Sequence, residues 1–434
     1  MIFNRSKFNG HWKTSKLSHL GAFSRGKSRH RPRNDNALFE GGTHPLVQTG
    51  DVRSANLYIR THHETYNDFG LAQSKKWPKG TLLITIAANI AETALLGYPM
   101  CFPDSVVGFN AYKDKSSEVY MHYVFSYIRR SIQNSVQGSI QDNINVDYLT
   151  DLDFKIPEKP EQDRIASVLS ALDAKIELNN QINAELEAMA KLLYDYWFVQ
   201  FDFPMTAAQA ASLGRPALEG KPYKSSGGKM VHNPTLNRRI PEGWSDSTIG
   251  DTFQTELGGT PSKKVSEYWL PAEIIWLSSG EKDDLFVLSS AEHISKSGLK
   301  NSAAKLLPRG SVILSIVRHL RASILGAEAA TNQSVVGIQE TDKIKSCFIY
   351  PYLVREIPRL MTLRTGAQQP HINKGVLDDS ALVIPDSDVL AQYSRLSTPL
   401  FEQMENHQKQ NQELLQLRDW LLPMLMNGQV TVAD

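Results

Sequence analysis

Cysteine is nearly missing from this chain: Cys101 and Cys347 are its only two in 434 residues. They stand far apart, and neither has a second ligand at zinc spacing, so the sequence is neither a disulfide scaffold nor a zinc ribbon; two buried or free thiols suit a reducing cytosol. No apolar run approaches the roughly 18 residues that a membrane span needs, and residues 1–12 are polar and basic, without the apolar stretch of a signal peptide. A cytoplasmic protein without a membrane partner is expected. An excess of one charge is missing too, since 47 Lys and Arg face 46 Asp and Glu for a formal net charge of +1. Total charge therefore offers no argument for nucleic acid, and any such case must rest on local patches. Motifs of catalysis are also lacking. There is no Asn-Pro-Pro-Tyr-like tetrapeptide to hold a target amine and no glycine-rich loop suited to S-adenosylmethionine. Gly227-Gly228-Lys229 is followed by Met230, not by the Ser or Thr of an ATP loop. His62-His63 and the other histidines lack metal-ligand spacing.

What the chain does have is itself, twice. Trp77-Pro78-Lys79-Gly80-Thr81-Leu82-Leu83-Ile84 answers to Leu307-Pro308-Arg309-Gly310-Ser311-Val312-Ile313-Leu314, with Gly80 and Gly310 standing 230 positions apart. Ser105-Val106-Val107-Gly108 returns unchanged as Ser334-Val335-Val336-Gly337, an offset of 229. Gly138, Ile144-Asn145 and Ile156-Pro157 find partners at Gly366, Ile372-Asn373 and Ile384-Pro385, an offset of 228, and Trp12 and Trp244 open the two copies. An ordered series at a slowly drifting offset is the mark of a duplicated domain pair with small loop insertions, and its period is far too long for a solenoid. Each copy begins with short β-rich runs, such as 81–86 and 311–317, broken by Gly, Pro and Asn turns, and ends in a long helix. Between the copies, residues 206–234 are rich in Gly, Ser, Pro and Lys and read as a linker.

From residue 161 to 198 there is neither Gly nor Pro. Heptad a positions hold Ile165, Leu172, Asn179, Leu186 and Leu193, and d positions Val168, Lys175, Ile182, Met189 and Tyr196. The second copy has Tyr393, Leu400, His407, Leu414 and Leu421 at a, with Leu396, Gln403, Gln410, Leu417 and Met424 at d. Such a stripe predicts coiled-coil helices, each roughly 57 Å long at 1.5 Å per residue. Core helices of two separate globular domains are the alternative. If a duplicate closes on itself about a pseudo-twofold axis, the helices run antiparallel. Asn179, Lys175, His407 and Gln403 then meet near the crossing, where they fix register or are simply exposed.

Several segments carry a resemblance to the specificity subunits of Type I restriction-modification systems. They are Ile156-Pro157-Glu158-Lys159-Pro160-Glu161-Gln162-Asp163-Arg164-Ile165-Ala166, the run Lys191-Leu192-Leu193-Tyr194-Asp195-Tyr196-Trp197-Phe198, the linker with Ile240-Pro241-Glu242-Gly243-Trp244, and the tail Leu417-Arg418-Asp419-Trp420-Leu421-Leu422-Pro423. The resemblance implies an α+β chain: two mixed α/β target recognition domains separated by two long antiparallel coiled-coil helices in a pseudo-twofold internal repeat. The parts would be recognition domain 1 (1–157), spacer helix 1 (158–203), linker (204–239), recognition domain 2 (240–387) and spacer helix 2 (388–434). It implies no catalysis by the chain itself. Its partners would be double-stranded DNA read as a bipartite, asymmetric site, and two copies of a DNA methyltransferase subunit, with or without motor-nuclease subunits. S-adenosylmethionine would sit on the methyltransferase, and this chain would bind no cofactor. Exposed aromatics such as Trp197, Phe198 and Trp420 either bind those partners or pack the helix ends.

The DNA-binding candidates are read from the residues. Arg25, Lys27, Arg29, Arg31 and Arg33 alternate in segment 24–33 with no acid among them. If the segment is extended, all five cations share one face, suited to phosphates and guanine edges; a mobile charged loop is the alternative. The matching part of the second copy offers Thr260, Ser262, Lys263 and Lys264 behind Gly258-Gly259. Ser139, Gln141 and Asn143 after Gly138 correspond to Ala367, Gln369 and His371 after Gly366, with Gln368 beside them, and amide side chains suit adenine; ordinary turn chemistry explains them equally well. Arg318 and Arg321 belong to the second copy alone. Two rivals remain at this stage, a nuclease or methyltransferase carrying its own recognition domains and a coiled-coil adaptor that binds only protein. Asp173 and Lys175 fit the end of a nuclease motif but lie within the heptad stripe, where chance explains them better.

Overall fold

The computed structural model describes residues 4–87, 90–137, 146–280, 284–366 and 370–433. The chain forms two units, residues 1–179 with 410–434, and residues 180–409.

In the first unit, Leu82-Leu83-Ile84-Thr85 is a strand buried along its whole length. Its side chains alternate, as a pleated strand requires. Leu82 and Ile84 join Val107, Phe109, Tyr120, Val124 and Phe125 in one core. Leu83 joins Trp77, Leu96, Met100 and Phe102 in another. Cover on both faces is why this run is continuously apolar. The strand lies at the centre of a five-stranded sheet ordered Gly21–Arg25, Val106–Ala111, Leu82–Thr85, Thr93–Leu96, Tyr58–Ile59, antiparallel except for the last pair. A four-stranded sheet follows the order Glu64–Tyr66, His44–Leu46, Met100–Cys101, Lys76–Trp77, with a parallel middle pair. Lys13–Lys16 pairs with Asp153–Ile156.

The second unit repeats all three sheets strand for strand. Its five-stranded sheet runs Thr255–Leu257, Val335–Ile338, Val312–Ser315, Arg321–Leu325, Phe286–Val287, again with only the last pair parallel. Its four-stranded sheet runs Glu292–Ile294, Ile274–Leu277, Ala329–Thr331, Leu306–Leu307, and Ser245–Thr248 pairs with Ala381–Ile384. Val312 and Leu314 face one core, and Ile313 the other. The internal duplication is thus a duplication of topology.

Two long helices, α1 (Lys159–Tyr194) and α2 (Ser387–Met426), each contribute to both units. In the first unit they run antiparallel, because partner numbers fall as α1 numbers rise. Asp173 pairs with Arg418 at 2.7 Å, and Asn179 Nδ2 donates to Gln410 Oε1 and Asn411 Oδ1, both at 2.8 Å. In the second unit, Asn183 meets His407 Nδ1 at 2.8 Å and donates to the Met404 carbonyl at 3.1 Å.

The heptad period holds, but its second row lies one residue further on than the stripe predicts. Along α1 the inward residues are Leu169, Ile176, Asn183, Ala190 and Trp197 beside the row Ile165, Asn179 and Leu186. Along α2 they are Ser397, Met404, Asn411, Arg418 and Leu425. The expected d residues Lys175, Met189, Tyr196, Leu396, Gln403 and Leu417 are exposed. Asn179 and His407 do enter the polar centre, whereas Lys175 and Gln403 do not. A spacing of three and a spacing of four both return to a helix face, and here the fourth residue wins. The same geometry disposes of the nuclease-like pair: Asp173 is buried, accepting from the Tyr123 hydroxyl at 2.6 Å, while Lys175 points to solvent.

At the helix ends, two of the three aromatics take the packing alternative. Trp197 and Phe198 are buried, because α1 closes in a single π turn (Asp195–Val199) whose wider spacing turns two successive rings inward. Of the three flagged aromatics only Trp420 is exposed. Nor is segment 204–239 a loose tether. Thr206 and Gln209 form a capping box on Ala207–Ser212, and Met230–Asn233 pairs with Arg238–Pro241. Phe203 stacks between Tyr223 and Trp244, at 4.7 and 4.9 Å. Composition missed these three rings because they come from separate stretches.

One buried titratable group makes the first unit sensitive to acid. His122 Nδ1 sits 3.0 Å from Thr93 Oγ1, and burial pushes its pKa down from 6.5 to about 4. The folded unit keeps His122 neutral while the unfolded chain protonates it, so its contribution is complete above pH 6.5 and is lost as pH falls toward 4. We expect up to about 3 kcal/mol of pH-dependent stability in that window. Urea unfolding of His122→Gln should lack this slope; an unchanged slope would refute the assignment.

Candidate nucleic-acid interface

The basic segment is not one extended strand. Its strand, Gly21–Arg25, stops at Arg25, and residues 26–35 leave as a loop. Gly26 makes the turn by donating to the Val106 carbonyl at 2.8 Å, so close that a Cβ there would stand 2.1 Å from the Pro103 oxygen. The cations gather around one acid instead of along one strand face. Arg33 reaches the Asp104 carboxylate at 2.7 Å and Arg31 reaches it at 3.4 Å, while Arg25 Nε donates to the Asp104 carbonyl. Arg31 also donates to the carbonyls of Ser28 and His30. The backbone of Lys27 and Arg29 is pinned to Phe102 and Gln73. Arg25, Arg29, Arg31 and Arg33 are exposed and Lys27 is half-buried. The loop's far end is fixed by Asp35, which caps the turn at Ala37; the hydrogen bond from His30 holds its carboxyl below the usual range. Five cations in this segment against two acids, Asp104 and Asp35, leave a local positive excess. Beside it opens a cleft of about 620 Å³ whose polar wall holds Glu64 together with Arg33, Asn34, Asn36, Gln48 and His63. Sequence reading missed Asn34, Asn36, Gln48, His63 and Glu64 here, which three separate stretches bring together.

The second unit launches its loop from the same place. Leu257 pairs with Val336 as Arg25 pairs with Val107, and Gly258 donates to the Val335 carbonyl at 3.2 Å. A Cβ on Gly258 would stand 2.2 Å from the Thr331 oxygen. Thr260 donates to Gln333 Oε1 at 2.6 Å. Lys263 pairs with Glu292 at 2.8 Å and lies over the Trp269 ring, while the Trp269 indole donates to the Ser262 carbonyl. Thr260, Ser262, Lys263 and Lys264 are all exposed.

A second cluster of this unit joins residues far apart in sequence. Arg318 is exposed at φ +57°, its amide bound to the Pro370 carbonyl and its own carbonyl to Arg364 Nη1 at 2.9 Å. His371 bridges to both Val317 and Thr365. Arg318, His371 and Arg364 therefore share one surface, and Arg364 was not foreseen. Arg321 begins a strand opposite Ser315, and burial lowers its pKa. Ser139, Gln141, Asn143, Gln368 and Gln369 lie outside the described residues.

A family model described as the Type I restriction modification DNA specificity domain matches the chain twice, at residues 9–188 and 241–416. The chain belongs to that family. The specificity chain is 25% identical to the Type I restriction enzyme MjaIX specificity subunit of Methanocaldococcus jannaschii over 436 aligned residues, covering 98% of this chain and 94% of that one. It is 24% identical to the Type I restriction enzyme HindI specificity subunit of Haemophilus influenzae, over 66% of this chain and 71% of that protein. Its fold is similar to the crystal structure of the Type I restriction-modification S subunit from M. genitalium, with a TM-score of 0.57, 13% identity, and 98% and 99% of the two chains covered. A specificity subunit is the non-catalytic, DNA-recognising member of its system, which decides against the two rival readings. No described helix of the specificity chain is long and apolar enough to cross a membrane.

The two glycine turns give a direct check on where the loops start. Gly26→Ala and Gly258→Ala should each cost about 1–3 kcal/mol by overpacking and loosen only their own loop. Hydrogen exchange on both variants would show this, and unchanged protection around residues 102–106 or 331–335 would contradict it.

Proposed function

We propose that each unit of the specificity chain reads one half of a split, asymmetric DNA site and that the chain positions two methyltransferase copies on it. The observation that carries the reading is the repeat of one scaffold with unlike loops at the same exit. Both loops leave from a glycine held against the same strand, yet one carries Arg25, Lys27, Arg29, Arg31 and Arg33 and the other Thr260, Ser262, Lys263 and Lys264. Equal scaffolds account for two half-sites, and unlike side chains for unlike bases. Phosphate contacts by the cations set affinity and position, and the fewer contacts to base edges set sequence. Arg318, Arg321 and His371, with Arg364, extend the second surface. Ser139, Gln141, Asn143, Gln368 and Gln369 complete the proposed contacts by sequence position.

Two partner copies are supported by a repeated apolar patch. Met189 and Leu192 on α1 are 54% and 68% exposed, and Leu417 and Trp420 on α2, each 228 positions later, are 42% and 57% exposed. Tyr196 and Met424 continue the two patches. Exposed apolar clusters of this kind mark protein interfaces, and duplication makes two alike. S-adenosylmethionine belongs on the methyltransferase, and motor-nuclease subunits join where the system cleaves.

Adenine methylation mapped in cells with and without this chain, each expressing the neighbouring methyltransferase, should show a split motif only in its presence. In the assembled complex, Arg25→Ala/Arg29→Ala/Arg31→Ala should weaken DNA binding by roughly 1–3 kcal/mol per base contact or flatten its salt dependence. Unchanged methylation by that variant would remove this loop from the interface. Leu192→Asp and Trp420→Asp should each leave a complex holding one methyltransferase copy, as native mass spectrometry would register. Two copies retained by both variants would refute the patch assignment.

A further inference from the structure

We infer that Asp104 and Gln333 are the positioning residues of the two reading loops, equivalent tethers whose different charge sets how strictly each half-site is read. The inference rests on the loops 25–33 and 260–264 facing DNA.

The two residues occupy one place in the duplicated scaffold. Each directly precedes the repeated Ser-Val-Val-Gly, as Asp104 before Ser105 and Gln333 before Ser334. Each sits in a turn closed by the same bond, Val106 N to the Pro103 carbonyl at 3.1 Å and Val335 N to the Asn332 carbonyl at 3.2 Å. The residue that closes the turn also accepts from the loop's glycine, Gly26 or Gly258. From that position Asp104 holds Arg33 and Arg31 through its carboxylate and Arg25 through its carbonyl. Gln333 holds Thr260 through its side-chain amide oxygen. Alongside the glycine amides, these two side chains tie each loop to the common scaffold, and sequence reading passed over both residues.

Exposed ion pairs add little stability, so the value of Asp104 lies elsewhere. Its carboxylate orients two guanidinium groups and competes with DNA phosphate for them. A duplex must displace that carboxylate before it can engage Arg31 and Arg33, and only a fitting half-site compensates for the exchange through base contacts. An unfavourable element that wrong partners cannot offset is a means of discrimination. Gln333 orients its loop without that competing charge; the carboxylate a duplex would displace there, Glu292 on Lys263, comes from another strand and holds a single lysine, so the penalty at the second half-site is smaller.

The test uses the full chain assembled with its methyltransferase. With Asp104→Asn we expect several-fold tighter binding to a random-sequence duplex at low salt. The slope of log K against log salt should steepen by about 1–2, as one or two more phosphates are engaged. In the methylated motif, bases of the first half should relax while the second half stays as in the wild type. That intact half shows in the same experiment that the complex is folded. Gln333→Glu should do the reverse, weakening binding several-fold through the second half alone. Wild-type motif and affinity in Asp104→Asn, or equal relaxation of both halves, would overturn the inference. Arg31→Ala/Arg33→Ala separates it from the reading beneath it. If that double variant changes neither affinity nor motif, the loop does not face DNA. If it weakens binding while Asp104→Asn changes nothing, the loop reading stands and the tether alone falls.

Discussion

Each long helix must bury two different things along one length, and the rest of the molecule depends on how that is met. α1 gives Ile165, Ala166 and Leu169 to the core of the first unit, and Leu186, Ala190 and Tyr194 to that of the second. α2 gives Phe401 and Met404 to the second, and Leu425 and Met426 to the first. The helices are therefore structural members of both recognition units and not struts attached to them. A side chain placed on the seam has to suit its opposite helix and, within a turn or two, the flank of a sheet domain.

The amide layer in the middle of each helix gives this arrangement one register. Asn179 is buried, and its Nδ2 donates to both Gln410 and Asn411. Slipping the helices by one heptad would set it against Met404 or Arg418 and leave a buried donor without its acceptors. An orphaned buried amide of this kind costs about 1–3 kcal/mol, which disfavours the shifted seam. Asn183 with His407 reinforces the same choice a turn away. The layer thus trades some apolar burial for a unique helix pairing.

Duplication explains how the chain can change what it reads without changing how it folds. Strand order, strand sense and the glycine turn are set by backbone hydrogen bonds and by apolar alternation, and both units keep them. Loop side chains are bound by neither constraint. A carboxylate facing two arginines in one unit can stand where the other has an amide facing a threonine, on the same turn. Recognition is therefore free to diverge on a scaffold that is not.

The repeat, the central buried strands, the helical period and the family were all legible in the sequence, because each is a local or periodic pattern that survives without knowledge of its neighbours. The phase of the heptad was not. Met189, Leu396 and Leu417 looked like seam residues because they are apolar, but they are exposed, and in two of the three cases belong to the patches we assign to partners. An apolar stripe records burial without saying whether the cover comes from the same chain. Alternating arginines in 24–33 likewise suggested a strand, and one close carbonyl at Gly26 turns them into a loop. Asp104 and Arg364 carried no signal at all, since their partners lie 71 and 46 residues away. Sequence alone determined which elements exist and that they occur twice. Tertiary structure decided which faces meet, because the choice between equally apolar faces and distant polar partners is made only when strands and helices pair across the chain.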